Sequence, residues 1–167
     1  MIKPTVYVDT NILSYLHYRG ADPLANKKRA STRQWWSEER PYFQVFASRA
    51  VESELLAGVF RGKEEALAEV RRLTYLVRTS AVREIAAKLL EVHVVPETVP
   101  DDAVQLAFAT VHGVDYLLSW NRAHLANAET QAKLARFRAS WGIRPPLVVT
   151  PDTIPKVALG EDIRRRD

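Results

Sequence analysis

The chain predicts an α/β fold in which helices flank a mostly parallel sheet of four or five strands, with the first strand central. Residues 5–8, Thr-Val-Tyr-Val, and residues 114–118, Val-Asp-Tyr-Leu-Leu, are nearly continuous apolar runs, the pattern of strands covered by helices on both faces. Each run ends on oxygen-bearing side chains, Asp9-Thr10-Asn11 in the first case and Ser119 and Asn121 in the second. If both runs are parallel strands, those oxygens share the carboxyl edge, where open α/β sheets place their active sites.

After the first strand, Thr10 or Asn11 suits the cap of a helix through Ile12, Leu13, Tyr15 and Leu16, ending near Gly20 ahead of Pro23. Residues 23–40 read as a second helix, with Lys27, Lys28, Arg29 and Arg33 preceding Trp35 and Trp36. Basic residues beside aromatics can hold nucleic acid. A tryptophan pair at a helix end more commonly packs into a core or a dimer surface. Residues 43–48 form a second strand, and Ser48 caps a helix over residues 49–59 in which Val51, Leu55 and Val59 make an apolar row. On that helix Glu54 has Ala50 and Gly58 one turn away on either side, which leaves room for a ligand, whereas Glu52 reads as a solvated charge.

Residues 64–76 and 81–92 read as an amphipathic helical pair. A proline-bounded linker, residues 94–100, delivers the chain to Asp101 and Asp102 at the start of a helix that ends at His112-Gly113. A helix over residues 129–141 and the short strand Leu147–Val149 complete one domain, expected over residues 1–155. The remainder, residues 156–167, ends Arg164-Arg165-Arg166-Asp167 and reads as a basic tail, mobile or folded on a partner.

At 167 residues the chain is long enough to bury a core without staples, and it contains no cysteine. Disulfides, thiolate metal sites and cysteine nucleophiles are thereby excluded, leaving oxygen and imidazole as ligands. Met1-Ile2-Lys3-Pro4 leads into a strand without an apolar signal stretch, and no run approaches transmembrane length, so the expectation is a cytoplasmic protein with no membrane association. A formal charge of +4 and a pI near 9.5 are weakly consistent with a polyanionic partner.

The acids at predicted strand ends and helix starts are Asp9, Glu54 and Asp102, with Asn121 as a neutral oxygen donor. Asp102 can merely complement a helix dipole, worth a few tenths of a kcal/mol, and Glu54 can be one more surface charge. Asp9 stands out, because a carboxylate ending a buried strand is costly unless paired or metal-bound.

Residues 6–13, Val-Tyr-Val-Asp-Thr-Asn-Ile-Leu, resemble the opening motif of PIN domains, and residues 54–58, Glu-Leu-Leu-Ala-Gly, resemble the second. Residues 102–107, an aspartate opening an alanine-containing helix, resemble the third. Residues 112–121, His-Gly-Val-Asp-Tyr-Leu-Leu-Ser-Trp-Asn, resemble the fourth and are similar to VapC-like toxins of type II toxin-antitoxin pairs. Any one motif is weak evidence; four in order are strong.

The resemblance implies a three-layer α/β/α fold and an endoribonuclease dependent on Mg²⁺ or Mn²⁺. By position, Asp9, Glu54 and Asp102 are the implied catalytic acids and metal ligands, joined by Asn121. Many members carry an aspartate where this chain has Asn121, so one negative charge is missing. Thr10, Asn11 and Ser119 are implied as donors that aim the carboxylates, or are plain helix caps. The implied partners are an RNA substrate, a cognate VapB-like antitoxin and a second copy of the chain in a homodimer.

Oxygen-only donors suit this chemistry independently of the family, since hard divalent cations are held by carboxylates and substrate phosphate. Arg122, His124 and Trp120 stay outside the catalytic set: the first two follow the fourth motif and are ordinarily solvated or structural, and the tryptophan is ordinarily core. The alternative is a degenerate PIN domain that binds RNA or a protein without cutting. A haloacid-dehalogenase-like phosphatase ranks lower, because it wants a second aspartate where this chain has Asn11.

Overall fold

The computed structural model describes residues 2–157. The expected basic tail therefore lies, from residue 158 onward, outside the described residues. Strands β1 (Thr5–Val8), β2 (Gln44–Ala47), β3 (Thr74–Tyr75), β4 (Tyr116–Leu118) and β5 (Leu147–Val149) form one sheet in the order β3-β2-β1-β4-β5. Every pairing is parallel, and β1 is central as expected. Val6, Tyr7 and Val8 have no exposed surface, which explains why this strand reads as an unbroken apolar run.

Seven helices flank the sheet among the described residues: α1 (Thr10–Leu16), α2 (Pro23–Gln34), α3 (Arg49–Ala57), α4 (Lys63–Val70), α5 (Ser80–Glu91), α6 (Pro100–Val111) and α7 (Ala128–Trp141). This is the three-layer α/β/α arrangement. The core gathers Ile12, Leu13 and Leu16 of α1, Val51 and Leu55 of α3, and Leu106 and Phe108 of α6 around the strands. No helix among the described residues is long and apolar enough to cross a membrane.

Four local expectations change. The cap of α1 is Asp9 itself, whose carboxylate accepts from the Thr10 backbone N–H, rather than Thr10 or Asn11. Helix α2 gives way at Trp35 to a single π-helical turn and then a 3₁₀ turn, because Pro41 cannot continue the α-helical hydrogen bonding. Trp35 is buried there against Phe43, the core role expected for one tryptophan of the pair.

Helix α3 stops at Ala57, because Gly58 turns to an extended conformation, and Val59 is left fully exposed instead of completing an apolar row. The helix expected over residues 64–76 ends at Val70, and the β-prone pair Thr74-Tyr75 becomes an edge strand on Phe46 and Ala47. Gly62 enters α4 at φ +91°, and a Cβ there would lie 2.2 Å from the His17 carbonyl oxygen, so only glycine fits.

Candidate functional site

The carboxyl edge of the sheet collects side chains from four segments. Asp9 leaves the end of β1, Glu54 projects from α3, Asp102 opens α6, and Ser119 to His124 follow β4. Asp9 is 5% exposed, and its carboxylate accepts from the Thr10 N–H (2.7 Å), from Asn11 Nδ2 (3.0 Å) and from the Ser119 hydroxyl (2.7 Å). Asn11 Nδ2 also donates to Ser119 Oγ, and Asn11 Oδ1 accepts the Trp120 N–H at 2.8 Å. Asn11 thus ties the turn after β1 to the turn after β4.

These donors favour the charged carboxylate, yet burial outweighs them and pushes the Asp9 carboxyl up to about 6, with the charges of Glu54 and Asp102 acting in the same direction. Burial likewise raises Glu54 and Asp102 above the ordinary carboxylate range, and each is raised further by Asp101. The three acids share one electrostatic neighbourhood.

They do not converge on one point. Glu54 Oε1 accepts from Gln105 Nε2 at 2.8 Å, while Asp102 Oδ2 accepts from Asn121 Nδ2 and lies 3.1 Å from His124 Nδ1. Among the described residues, no three acidic or imidazole side chains form a ready cage for a metal ion. Asn121 offers its carbonyl oxygen to the His124 N–H at 3.0 Å, so its visible work is to brace Asp102 and the following turn.

The donor set still suits a hard cation. It is all oxygen, its most buried member holds a charge against a desolvation cost, and the neighbouring Thr10 hydroxyl is orphaned. That hydroxyl is close enough to Glu54 to favour its charged form, though no hydrogen bond is formed.

Residues set aside in the sequence fall into two groups. Trp120 is core, 6% exposed, with its indole N–H donated to Thr32 Oγ1 at 2.8 Å. Arg122 is engaged on the surface with Asp152 at 3.2 Å. His124, by contrast, touches Asp102 and belongs to the site.

The sequence reasoning also missed a buried polar relay behind Glu54. The Val51 N–H donates to Ser48 Oγ, which pairs with the Tyr7 hydroxyl at 2.7 Å, and the Tyr7 hydroxyl donates to Gln105 Oε1. With that oxygen occupied, the Gln105 amide directs its N–H to Glu54. Burial holds the Tyr7 phenol far above its ordinary range, so it stays a proton donor. The signal was periodicity: Tyr7 precedes Asp9 by two strand positions, and Gln105 follows Asp102 by three helix positions, so each shares a face with its acid.

The PIN domain family model matches residues 6–129. No curated protein matches the chain in sequence. Among solved structures, VapBC2 of Rickettsia felis, solved with a DNA fragment of its promoter, aligns at 16% identity and a TM-score of 0.53, over 87% of this chain and 98% of that one. VapC20 of Mycobacterium tuberculosis, a sarcin-ricin loop cleaving toxin, aligns at 20% identity and a TM-score of 0.52, over 76% and 93%. VapBC-1 of nontypeable Haemophilus influenzae aligns at 12% identity and a TM-score of 0.53, over 89% and 99%. At these identities the likeness to the solved structures is one of fold. The family match runs from the strand that presents Asp9 past the turn that holds Asn121 and His124, and this chain belongs to the PIN domain family.

Proposed function

We propose that this protein is an endoribonuclease dependent on Mg²⁺ or Mn²⁺ and a VapC-like toxin restrained by a small VapB-like antitoxin. The observation that carries the proposal is Asp9: a carboxylate at the end of the central strand, buried, held by three donors, and within the fields of Glu54 and Asp102. Family membership and the VapBC complexes among its structural relatives support it.

Asp9, Glu54 and Asp102 would hold the cation. When bound, the cation supplies Lewis-acid activation of water and charge neutralisation for phosphodiester hydrolysis. Asn11, Ser119 and the Thr10 N–H fix the rotamer of Asp9, Gln105 fixes Glu54, and Asn121 with His124 fixes Asp102. Such bracing around metal-binding groups is worth roughly 10-fold or more in affinity or activity. On this account the protein works in the cytoplasm as a homodimer.

One observation favours a second reading, a PIN domain that binds RNA without cutting it: Asn121 replaces an acid and spends its oxygen on the backbone of His124. Incubation of total RNA with purified protein, with Mn²⁺ or with EDTA, separates the two. Cleavage that needs metal and vanishes in Asp9→Asn, with circular dichroism unchanged, is the expected result. Intact RNA in every lane, together with retention of RNA by the wild type, would favour the binding-only protein.

A further inference from the structure

A cleft of about 740 Å³ between α3, α6 and the segment after β3 is lined by Glu54 and by a second carboxylate, Asp101. Its size is in the range of small-ligand sites, roughly 300–1,000 Å³. Helix α3 presents Ala50, Ser53, Glu54 and Ala57 to it, positions that recur on one helical face, and the small residues around Glu54 open the floor. The segment after β3 is fastened to the end of α6 by a 2.8 Å hydrogen bond between His112 Nε2 and the Val77 carbonyl.

Two cations line this cleft from different elements, Arg49 at the start of α3 and Arg78 before α5. Both are exposed, and neither forms an ion pair among the described residues. An exposed arginine is ordinarily just solvated, and Arg61, Arg83, Arg136, Arg138 and Arg144 are likewise exposed and without an ion pair among the described residues; Arg49 and Arg78 differ from these in lining the same cleft as Glu54. Arg19, Arg71, Arg72 and Arg122 each face an acid, while Arg29 and Arg33 donate to backbone carbonyls. The Arg78 guanidinium lies 5.9 Å from the Phe108 ring centroid, which keeps it over the cleft wall. Unpaired guanidinium groups beside apolar surface, here Val77 and Val104, are what a single strand needs: charge for its phosphates and low-polarity contact for its bases.

We propose that Arg49 and Arg78 are a phosphate clamp, gripping the RNA strand beside the phosphate that lies at Asp9, Glu54 and Asp102. The inference rests on the nuclease reading for which phosphate is cut, but not for the grip itself. The acidic end of the cleft repels a polyanion, so the arginines supply attraction that the acids cannot.

The test uses full-length protein carrying Asp9→Asn, so that RNA stays whole, with fluorescein-labelled single-stranded RNA, Mn²⁺ and a series of salt concentrations. Anisotropy gives affinity and its salt slope. Arg49→Ala and Arg78→Ala should each lower the magnitude of the slope by about 0.7, the value per phosphate contact on a single strand, and Arg→Lys at either position should restore it. Arg138→Ala, in a separate hollow beside β5, should change nothing.

An unchanged affinity and slope in the double alanine variant would overturn the clamp, as would absence of RNA binding, or arginine-dependent binding of an acidic peptide in place of RNA. The two readings fail separately. Metal-dependent cleavage with no arginine effect removes only the clamp, and arginine-dependent binding by a wild-type protein that never cuts removes only the nuclease.

Discussion

Asp9 spends stability on function. Its carboxyl titrates near 6 in the folded protein against an ordinary value of 3.8, so between those values the folded chain binds a proton more tightly than the unfolded chain. A raised carboxylate contributes stability at low pH that is lost as pH climbs through the window from about 4 to about 6, and the total is roughly 3 kcal/mol. Urea denaturation in EDTA should therefore show the wild type losing about that much relative to Asp9→Asn between pH 4 and pH 7, then levelling off. Parallel pH profiles for the two proteins would mean that the buried charge carries no such cost. Asp9, Asp102, Asn11 and Ser119 were legible as polar residues at strand ends and a helix start, whereas Glu54, inside α3, stood out only through its small neighbours and the resemblance of its motif. Gln105 and Tyr7 were passed over because each sits inside a regular element and looks like filling; only their spacing from Asp102 and Asp9 set them apart.

At the scale of elements, Glu52 shows why a helix-surface acid cannot be judged from its own helix. In the sequence it reads as solvated, yet its carboxylate accepts from the Tyr75 hydroxyl at 2.6 Å and from Arg71 Nε at 3.1 Å, joining α3 to β3 and to the end of α4. Those two hydrogen bonds hold its carboxyl below the ordinary range, and burial with the Glu52 charge pushes the Tyr75 phenol up to about 12. A strand of only two residues has few ladder bonds of its own. Glu52→Ala should cost about 1–2 kcal/mol in chemical denaturation through loss of the charge-assisted bond, while RNA cleavage by the folded protein persists. No measurable destabilisation would show that β3 stands without this tie. The edge strand escaped the sequence because Thr74-Tyr75 is too short to interrupt a helical pattern, whereas the long apolar runs of β1 and β4 declared themselves.

At the scale of the whole molecule, the fold brings residues 9, 54 and 102 to one edge because β1 is central and parallel to its neighbours, so the chain leaves β1, β2 and β4 at the same end. That much followed from alternation and from apolar runs. The side-chain partners around the edge depend on packing between elements remote in the chain, which no single segment encodes. The central claim is that these three acids act as one cation site, and calorimetric titration with Mn²⁺ at pH 7.5 tests it most directly. The wild type should bind Mn²⁺, and Asp9→Asn, Glu54→Gln and Asp102→Asn should each weaken binding by more than about 100-fold, beyond the roughly 10- to 100-fold of a bracing residue, with their folds intact by circular dichroism. A wild type that takes up no Mn²⁺, or three variants that bind it as tightly as the wild type, would contradict the account.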